Sequence, residues 1–221
     1  MKESSNKTRK RISNIIRFLR AKTQYLERPA ATKIVEKYGR DPYLILISCL
    51  LSLRTRDTVS YPASARLFEK AKTPRSMLKL SPETIEKLIY PVGFYRNKAR
   101  SILSVSAELL KRFKGKVPET SENLLSIKGV GLKTTNLVLS EAFRIPAICV
   151  DTHVHRISNQ IGLVHTKTPE ETEKKLMEIL PKRYWREFNP LLVMWGQNRG
   201  PIAPLRSIWQ GKDPGRGGEA T

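Results

Sequence analysis

The chain has 221 residues, with 41 Lys and Arg against 20 Asp and Glu, and a formal net charge of +21. This excess favours a polyanionic partner such as nucleic acid, although a ribosome-associated or simply thermostable basic protein would share it. No apolar run approaches the roughly 18 residues of a membrane span, and the N-terminal residues lack the apolar segment of a signal peptide. We therefore expect no membrane partner and an intracellular protein, cytoplasmic and nucleoid-associated if the source is prokaryotic.

Helical signals follow one another along most of the chain. Residues 42–53 (PYLILISCLLSL) are apolar on every side, which predicts a helix buried all round. Residues 97–113 carry apolar side chains on one face at helical spacing. Three dipeptides place a capping side chain before a proline suited to the first helical position, and the last of them opens a helix that should end near Pro181. They are Asp41-Pro42, Ser81-Pro82 and Thr168-Pro169. Because no convincing strand pattern appears, the sequence predicts an all-α protein.

The C-terminal region and the cysteines carry weaker signals. Glycine and proline recur after Asn198, in NRGPIAP and KDPGRGGEAT, and predict an irregular, partly disordered tail. Cys49 and Cys149 each lie inside an apolar run. We expect two buried structural thiols rather than a disulfide.

A glycine turn and two ionisable residues after it form the most informative pattern. The turn is Gly129-Val130-Gly131, Lys133 lies two residues after it, and Asp151 comes later in a Val-Asp-Thr-His context. Glycines at this spacing allow a tight turn, and the helix that begins after them presents unpaired N–H groups to an anion. In a strongly basic protein the pattern predicts a helix-hairpin-helix that grips a nucleic-acid phosphate.

Six motifs occur in a fixed order from residue 50 to residue 198: LLSLRTRD, VGFYRNKA, GVGLKT, VDTHVHR, TPEETE and WGQN. Through them the chain resembles the endonuclease III branch of the helix-hairpin-helix DNA glycosylases, base-excision enzymes that act on oxidised pyrimidines. The resemblance implies two helical domains: a six-helix barrel over residues 35–145, and a second domain formed by residues 1–34 and 146–221. It also implies that DNA binds in a cleft between the two domains.

The resemblance assigns the family chemistry to Lys133 and Asp151. The lysine would displace the base at C1′, form a Schiff base and promote β-elimination of the 3′ phosphate. The aspartate would stabilise the positive charge that develops on the sugar. Each residue also has a plainer interpretation: Lys133 as a solvated phosphate contact, and Asp151 as the N-cap of the helix starting at Thr152.

An enzyme that acts on a base within a duplex must flip that base out and fill the gap. Arg54 matches the family's plug position, with an ordinary phosphate contact as the alternative. Phe94 matches the wedge that separates bases on the opposite strand, with a core residue as the alternative. The other DNA-contacting residues expected are Lys128, Gly129, Val130, Gly131, His153 and Arg156.

The family's four C-terminal cysteines, which ligate a [4Fe–4S] cluster, have no counterpart after Gln197. We therefore expect neither the cluster nor another cofactor. His153 and His155 are two residues apart on a predicted helix and point to different sides, so we expect no metal site there. Lys128 replaces the proline usual before the hairpin. Four side chains are expected to pack where the cluster would lie: Ile202, Leu205, Ile208 and Trp209.

We therefore expect a bifunctional DNA glycosylase/AP lyase, acting as a monomer on double-stranded DNA that contains damaged pyrimidines or abasic sites. Two alternatives stay open at this point. The first is a glycosylase for mismatched thymine or uracil; members that act without lyase chemistry generally lack the hairpin lysine, so Lys133 counts against that version. The second is a non-enzymatic helix-hairpin-helix protein that only binds DNA.

Overall fold

The computed structural model describes residues 2–212, with side chains from Asn6 onward. Over this range the backbone forms α-helices and one short 3-10 turn without any β-strand, which confirms the prediction of an all-α protein. Contacts divide the chain into two compact units. We call Pro29–Ala147 the central unit, and the two chain ends, up to Arg28 and from Ile148, the terminal unit. The six-helix barrel with limits at residues 35 and 145 stays a prediction.

The helices of the described range are α1 (Lys2–Thr23), α2 (Ala30–Tyr38), α3 (Pro42–Ser52), α4 (Asp57–Lys70), α5 (Pro74–Met77), α6 (Pro82–Ile89), α7 (Tyr95–Phe113), α8 (Ser121–Leu125), α9 (Leu132–Glu141), α10 (Thr152–Gln160), α11 (Pro169–Ile179), α12 (Trp185–Gln197) and α13 (Ile202–Gln210). The 3-10 turn is Lys182–Tyr184. Within residues 2–212, no helix combines the length and the apolar character that crossing a membrane requires.

Helix α3 lies at the centre of the central unit. Every residue from Tyr43 to Leu51 is buried, so the predicted helix buried all round is confirmed. Asp41 starts it, because its carboxylate accepts hydrogen bonds from the N–H groups of Tyr43 (2.9 Å) and Leu44 (3.0 Å). Helices α2, α4, α7 and α9 pack against it. Burying each Leu or Ile side chain contributes roughly 1.5–3 kcal/mol, so α3 fixes the positions of the loops at its ends.

Capping starts other helices where the sequence predicts it. The Ser81 hydroxyl accepts from the Thr84 N–H at 3.2 Å, and the Thr168 hydroxyl accepts from the Glu171 N–H at 3.2 Å. Helix α11 ends at Ile179, next to the predicted end near Pro181. Because each of these contacts spans three residues, local sequence is sufficient to predict them.

The terminal unit is built from both ends of the chain. Helix α1 packs against α12 and α13. Two polar contacts add to this packing: the Tyr184 hydroxyl donates to the Ser13 hydroxyl (3.1 Å), and the Arg20 guanidinium donates to both carboxylate oxygens of Glu187 (2.8 and 2.7 Å). The buried face of α1 consists of Ile12, Ile15, Ile16 and Leu19.

The prediction of an irregular chain after Asn198 is wrong for helix α13. Pro201 lies at the N-cap and Pro204 in the first turn, where a backbone N–H has no intrahelical acceptor, so both prolines are compatible with the helix. Leu205 and Ile208 are buried, and this burial stabilises a segment whose composition suggests a loop. The rest of the predicted tail, from residue 213, lies outside the described residues.

Candidate nucleic-acid interface and catalytic residues

The hairpin of the central unit joins α8 to α9. Gly129 has φ +90°, which favours glycine, and Gly131 is the N-cap of α9. Both glycines are exposed, and no atom lies within 4 Å of the position a Cβ would take on either one. Gly131 has no side chain to cap the helix. The start of α9 therefore presents backbone to the solvent, as a phosphate-binding site requires.

Buried and polar contacts hold this hairpin in shape. Val130, between the two glycines, is only 5% exposed, and its N–H donates to the Ile127 carbonyl at 3.0 Å. On α7, the Glu108 carboxylate accepts from the Lys128 N–H at 3.2 Å and pairs with Arg112. The Arg112 guanidinium donates to the Ser126 carbonyl (3.1 Å) and hydroxyl (2.7 Å). Helix α7 thus anchors the residues that precede the glycines.

Lys133 is the second residue of α9, and its side chain is exposed. The next two residues, Thr134 and Thr135, are buried, so the helix is fixed directly after the lysine. Lys128 is exposed on the other side of the turn. An amine at the positive end of a helix, next to an anion-binding backbone, can reach a sugar whose phosphate the hairpin holds.

The structure brings the loop of Arg54 and the turn of Phe94 together. The Gly93 N–H donates to the Thr55 hydroxyl at 3.2 Å, and a Cβ on Gly93 would lie 3.1 Å from the Arg54 carbonyl oxygen. Arg54 and Phe94 both have positive φ (51° and 57°), and both side chains are exposed. With 61% exposure, Phe94 is not the core residue that the alternative interpretation required. The arrangement offers one planar cation and one aromatic ring at neighbouring loops.

Lys98 is a functional candidate that the sequence analysis missed. Its side chain is only 8% exposed, and its ammonium donates to the carbonyl oxygens of Leu51 (2.7 Å) and Leu53 (2.6 Å) and to the Thr55 hydroxyl (3.0 Å). Burial lowers the pKa of Lys98 to about 8. Lys98 lies four residues after Phe94, which is about one helical turn, and this spacing is the only signal in the sequence. With 41 Lys and Arg in the chain, the sequence does not distinguish a buried lysine from an exposed one.

In the terminal unit, Asp151 is the N-cap of α10. Its Oδ1 accepts from the Val154 N–H at 2.9 Å, so the interpretation as a helix cap is confirmed. The segment before it is held by Asn189 of α12, whose amide donates to the Cys149 carbonyl at 3.0 Å. The result is a half-buried carboxylate in a fixed position, suited to stabilising a nearby cation.

The two histidines of α10 point to different helices, as their spacing predicts. The His153 ring packs on Gly196 of α12, where any side chain would collide with it, and its Nδ1 is buried without a hydrogen-bond partner. His155 Nδ1 lies 2.7 Å from the Thr172 hydroxyl of α11. Arg156 is exposed and donates to the Gln160 side chain at 3.0 Å. The described residues contain no group of three potential metal ligands.

The residues present do not fit a [4Fe–4S] cluster, because such a cluster needs four thiolates and the chain has two cysteines. Both cysteines are buried and not joined by a disulfide, as predicted; Cys49 belongs to the central unit and Cys149 to the terminal unit. Leu205 and Ile208 of α13 are buried, and Ile202 and Trp209 pack partly buried against the same core. That these side chains take the place of the cluster stays a prediction.

The proposed catalytic residues lie in different units: Lys133 in the central unit and Asp151 in the terminal unit. The hairpin, Arg54 and Phe94 belong to the central unit, and His153 and Arg156 share α10 with Asp151. Each unit therefore contains one of these two ionisable residues at the start of a helix.

Comparison with known proteins identifies the family. Residues 47–182 match the HhH-GPD superfamily of base excision DNA repair proteins. The chain is 45% identical over 172 residues to endonuclease III of Thermotoga maritima, an alignment that covers 76% of this chain and 81% of that protein. It is 44% identical over 158 residues to endonuclease III-like protein 1 of Mus musculus, covering 70% of this chain and 53% of the mouse protein.

Solved structures agree with this result. A non-covalent endonuclease III–DNA complex is similar with a TM-score of 0.74 and 34% identity, covering 84% of both chains. A trapped covalent endonuclease III–DNA intermediate is similar with a TM-score of 0.68 and 36% identity, covering 76% of this chain and 82% of the other. A thermostable thymine-DNA glycosylase shares the fold, with a TM-score of 0.75 at 22% identity. The chain therefore belongs to the endonuclease III branch of the HhH-GPD superfamily of base-excision DNA repair proteins.

Proposed function

We propose that this protein, a base-excision repair DNA glycosylase with AP lyase activity, removes oxidised pyrimidines from double-stranded DNA with Lys133 as its nucleophile. The observation that carries the proposal is the exposed Lys133 amine in the first turn of α9, directly after the open glycine hairpin. The protein would act as a monomer on duplexes with a damaged pyrimidine or an abasic site. In a prokaryotic cell it would work at the nucleoid.

The neutral amine of Lys133 attacks C1′ of the damaged nucleotide, and the bond from C1′ to the base breaks. The base leaves with the bonding electron pair and takes up a proton. The attached amine loses a proton, and its lone pair then expels the ring oxygen from C1′. The oxygen keeps the bonding electron pair and takes up a proton to become a hydroxyl, and a protonated Schiff base results. Loss of a proton from C2′ then expels the 3′ phosphate and cuts the strand. Asp151 supplies the negative charge that stabilises the cationic sugar during the first step.

Binding of the duplex falls to the basic and backbone groups around these two residues. The amides of the hairpin (Gly129, Val130 and Gly131) and the Lys128 cation would hold one phosphate. His153 and Arg156 would support α10 and its contact with the DNA backbone. Arg54 would fill the gap left by the flipped base, and Phe94 would separate bases on the other strand.

Borohydride trapping tests the nucleophile. Wild-type protein, incubated with duplexes that contain thymine glycol or an abasic site, should form a covalent adduct when borohydride reduces the Schiff base, and should nick the strand. Lys133→Gln should give no adduct while binding undamaged duplex as well as wild type, because the hairpin amides are intact. An adduct formed equally by Lys133→Gln would assign the nucleophile to another residue.

The same assay separates the alternatives. Excision of mismatched thymine or uracil by the wild type, without trapping on any substrate, would indicate a monofunctional enzyme. Binding without excision of any base would leave only a DNA-binding protein. A panel of duplexes that carry oxidised pyrimidines, mismatches and abasic sites therefore decides both the lesion class and the reaction type.

A further inference from the structure

The buried lysine of α7 joins two elements that the chain places far apart. Lys98 belongs to the first turn of α7, which begins directly after Phe94, and its backbone N–H donates to the Phe94 carbonyl at 3.0 Å. Its side chain runs to the end of α3, where it reaches the carbonyls of Leu51 and Leu53. One residue therefore contacts both the turn that carries Phe94 and the loop that carries Arg54.

The chemistry of these contacts fits a cation. All three oxygens that the structure gives the Lys98 ammonium are neutral, and an ammonium has three protons to donate. The carbonyls of Leu51 and Leu53 lie at the C-terminus of α3, the end of a helix that carries partial negative charge. Burial lowers the pKa of Lys98 to about 8, so the three-donor form predominates near neutral pH.

A second hydrogen bond closes the link. The Thr55 hydroxyl lies 3.0 Å from the Lys98 ammonium and 3.2 Å from the Gly93 N–H. Arg54 lies between Leu53 and Thr55, and Phe94 follows Gly93, so anchored neighbours flank both exposed side chains. Arg54 and Phe94 adopt left-handed backbone conformations that residues with a Cβ disfavour. Such conformations persist only where the surrounding contacts impose them.

We propose that Lys98 is a positioning residue, which holds the Arg54 loop and the Phe94 turn in one arrangement so that both side chains enter the opened duplex together. This inference rests on the roles proposed above for Arg54 and Phe94. Lys98 itself touches neither the sugar nor the base. Its effect is confined to the step in which the duplex is opened.

The experiment compares duplex with single-stranded substrate. Lys98→Met removes the three donated bonds and keeps an unbranched side chain. Single-turnover excision from a lesion-bearing duplex should slow by about tenfold or more, since small displacements of positioning groups have large effects on rate. Borohydride trapping on an abasic site in single-stranded DNA should stay within about twofold of wild type, because no duplex is opened. Lys111→Met, which removes an exposed charge from the same helix, is the matched control and should match wild type in both assays.

Thr55 provides a second pair of variants in case Lys98→Met does not fold. Thr55→Val keeps the shape but removes the hydroxyl that joins Lys98 to Gly93, and Thr55→Ser restores that hydroxyl. A 2-aminopurine placed opposite the lesion should brighten when wild type or Thr55→Ser opens the pair. With Thr55→Val or Lys98→Met the increase should be lost, while affinity for undamaged duplex is retained.

The outcomes separate this inference from the proposed function. If wild type neither excises a base nor forms an adduct, the proposed function fails and this inference fails with it. If wild type is active, and Lys98→Met and Thr55→Val open and excise as Lys111→Met does, the inference alone is overturned. Equal behaviour of Thr55→Val and Thr55→Ser would overturn it as well.

Discussion

Two helix starts, one in each unit, differ in how they treat the N–H groups of the first turn, which have no acceptor within the helix. Helix α9 begins at Gly131, which is exposed and has no side chain to cap the helix. Helix α10 begins at Asp151, whose own carboxylate accepts from the Val154 N–H. The glycine start leaves positive backbone for an anion, whereas the aspartate start places a fixed negative charge at the same kind of position. A phosphate site and a site that stabilises a sugar cation need these two opposite signs.

The largest expected effect comes from neutralising the aspartate start. Asp151→Asn should slow base excision by about 100-fold or more, because a neutral amide cannot offset the charge that develops on the sugar. The free energy of unfolding should stay nearly unchanged, since asparagine caps helices as well as aspartate does. Single-turnover excision and urea unfolding measure the two quantities. Asp41→Asn, at the start of α3, is the matched control and should change neither; excision at the wild-type rate by Asp151→Asn would reduce Asp151 to a cap.

A third helix end, the C-terminus of α3, extends the comparison because it holds a cation. Burial lowers the pKa of Lys98 to about 8 from its ordinary 10.5. Below pH 8 both the folded and the unfolded chain carry this proton, and the desolvation of the charge lowers the free energy of unfolding by its full amount. Between pH 8 and 10.5 only the unfolded chain keeps the proton, so the contribution of Lys98 to stability increases with pH.

Wild type should therefore gain about 2 kcal/mol of unfolding free energy relative to Lys98→Met between pH 7 and pH 9.5. Urea unfolding of both proteins at the two pH values gives this difference directly, because the other titrating groups are common to both. An equal pH dependence of the two proteins would contradict burial of a charged Lys98.

Converting the glycine start into an aspartate start sharpens the comparison. Gly131→Asp should weaken duplex binding by about tenfold, because the new carboxylate caps the amides and repels the phosphate. It should also stabilise the fold slightly, since Gly131 has an allowed φ of −95°, open space around it and a conformation suited to an N-cap. Gly131→Asn, which caps without charge, is the control for the electrostatic part. Duplex affinity of the two variants is measured over a range of salt concentrations, and urea unfolding measures their stability. Identical affinities of the two variants would contradict an electrostatic effect.

The smallest effect concerns the neighbouring glycine. Gly129→Ala should lower the free energy of unfolding by about 1 kcal/mol, because φ +90° is unfavourable for a residue with a Cβ although nothing crowds the position. Gly129→Asn should lower the free energy of unfolding clearly less, because asparagine tolerates the left-handed conformation better than alanine does. Thermal or urea unfolding of the pair tests the difference. Equal stabilities would show that the hairpin does not require the left-handed conformation at Gly129.

The capped helix starts could be predicted from the sequence, whereas helix α13 could not. The GVG turn, the cap at Asp151 and the caps at Ser81 and Thr168 are local patterns, and the structure bears out the caps residue by residue. Helix α13 was not predicted, because Pro201 and Pro204 suggest a loop unless the burial of the residues after them is known. Local chemistry specifies where a helix begins, but packing decides whether a weak segment becomes one.

The sequence by itself determined the helical class, the capped starts of α3, α6, α10 and α11, the family and the candidate pair Lys133 and Asp151, since capping and motifs can be read along the chain. Only the tertiary structure decided that Gly93 contacts Thr55 across 38 residues, that Lys98 is buried beneath the Arg54 loop, and that His153 packs on Gly196. These contacts join segments distant in the chain, and no local preference specifies them. They arise from close packing around α3 in one unit, and around α10 and α12 in the other, because a densely packed interior restricts the conformation of each side chain.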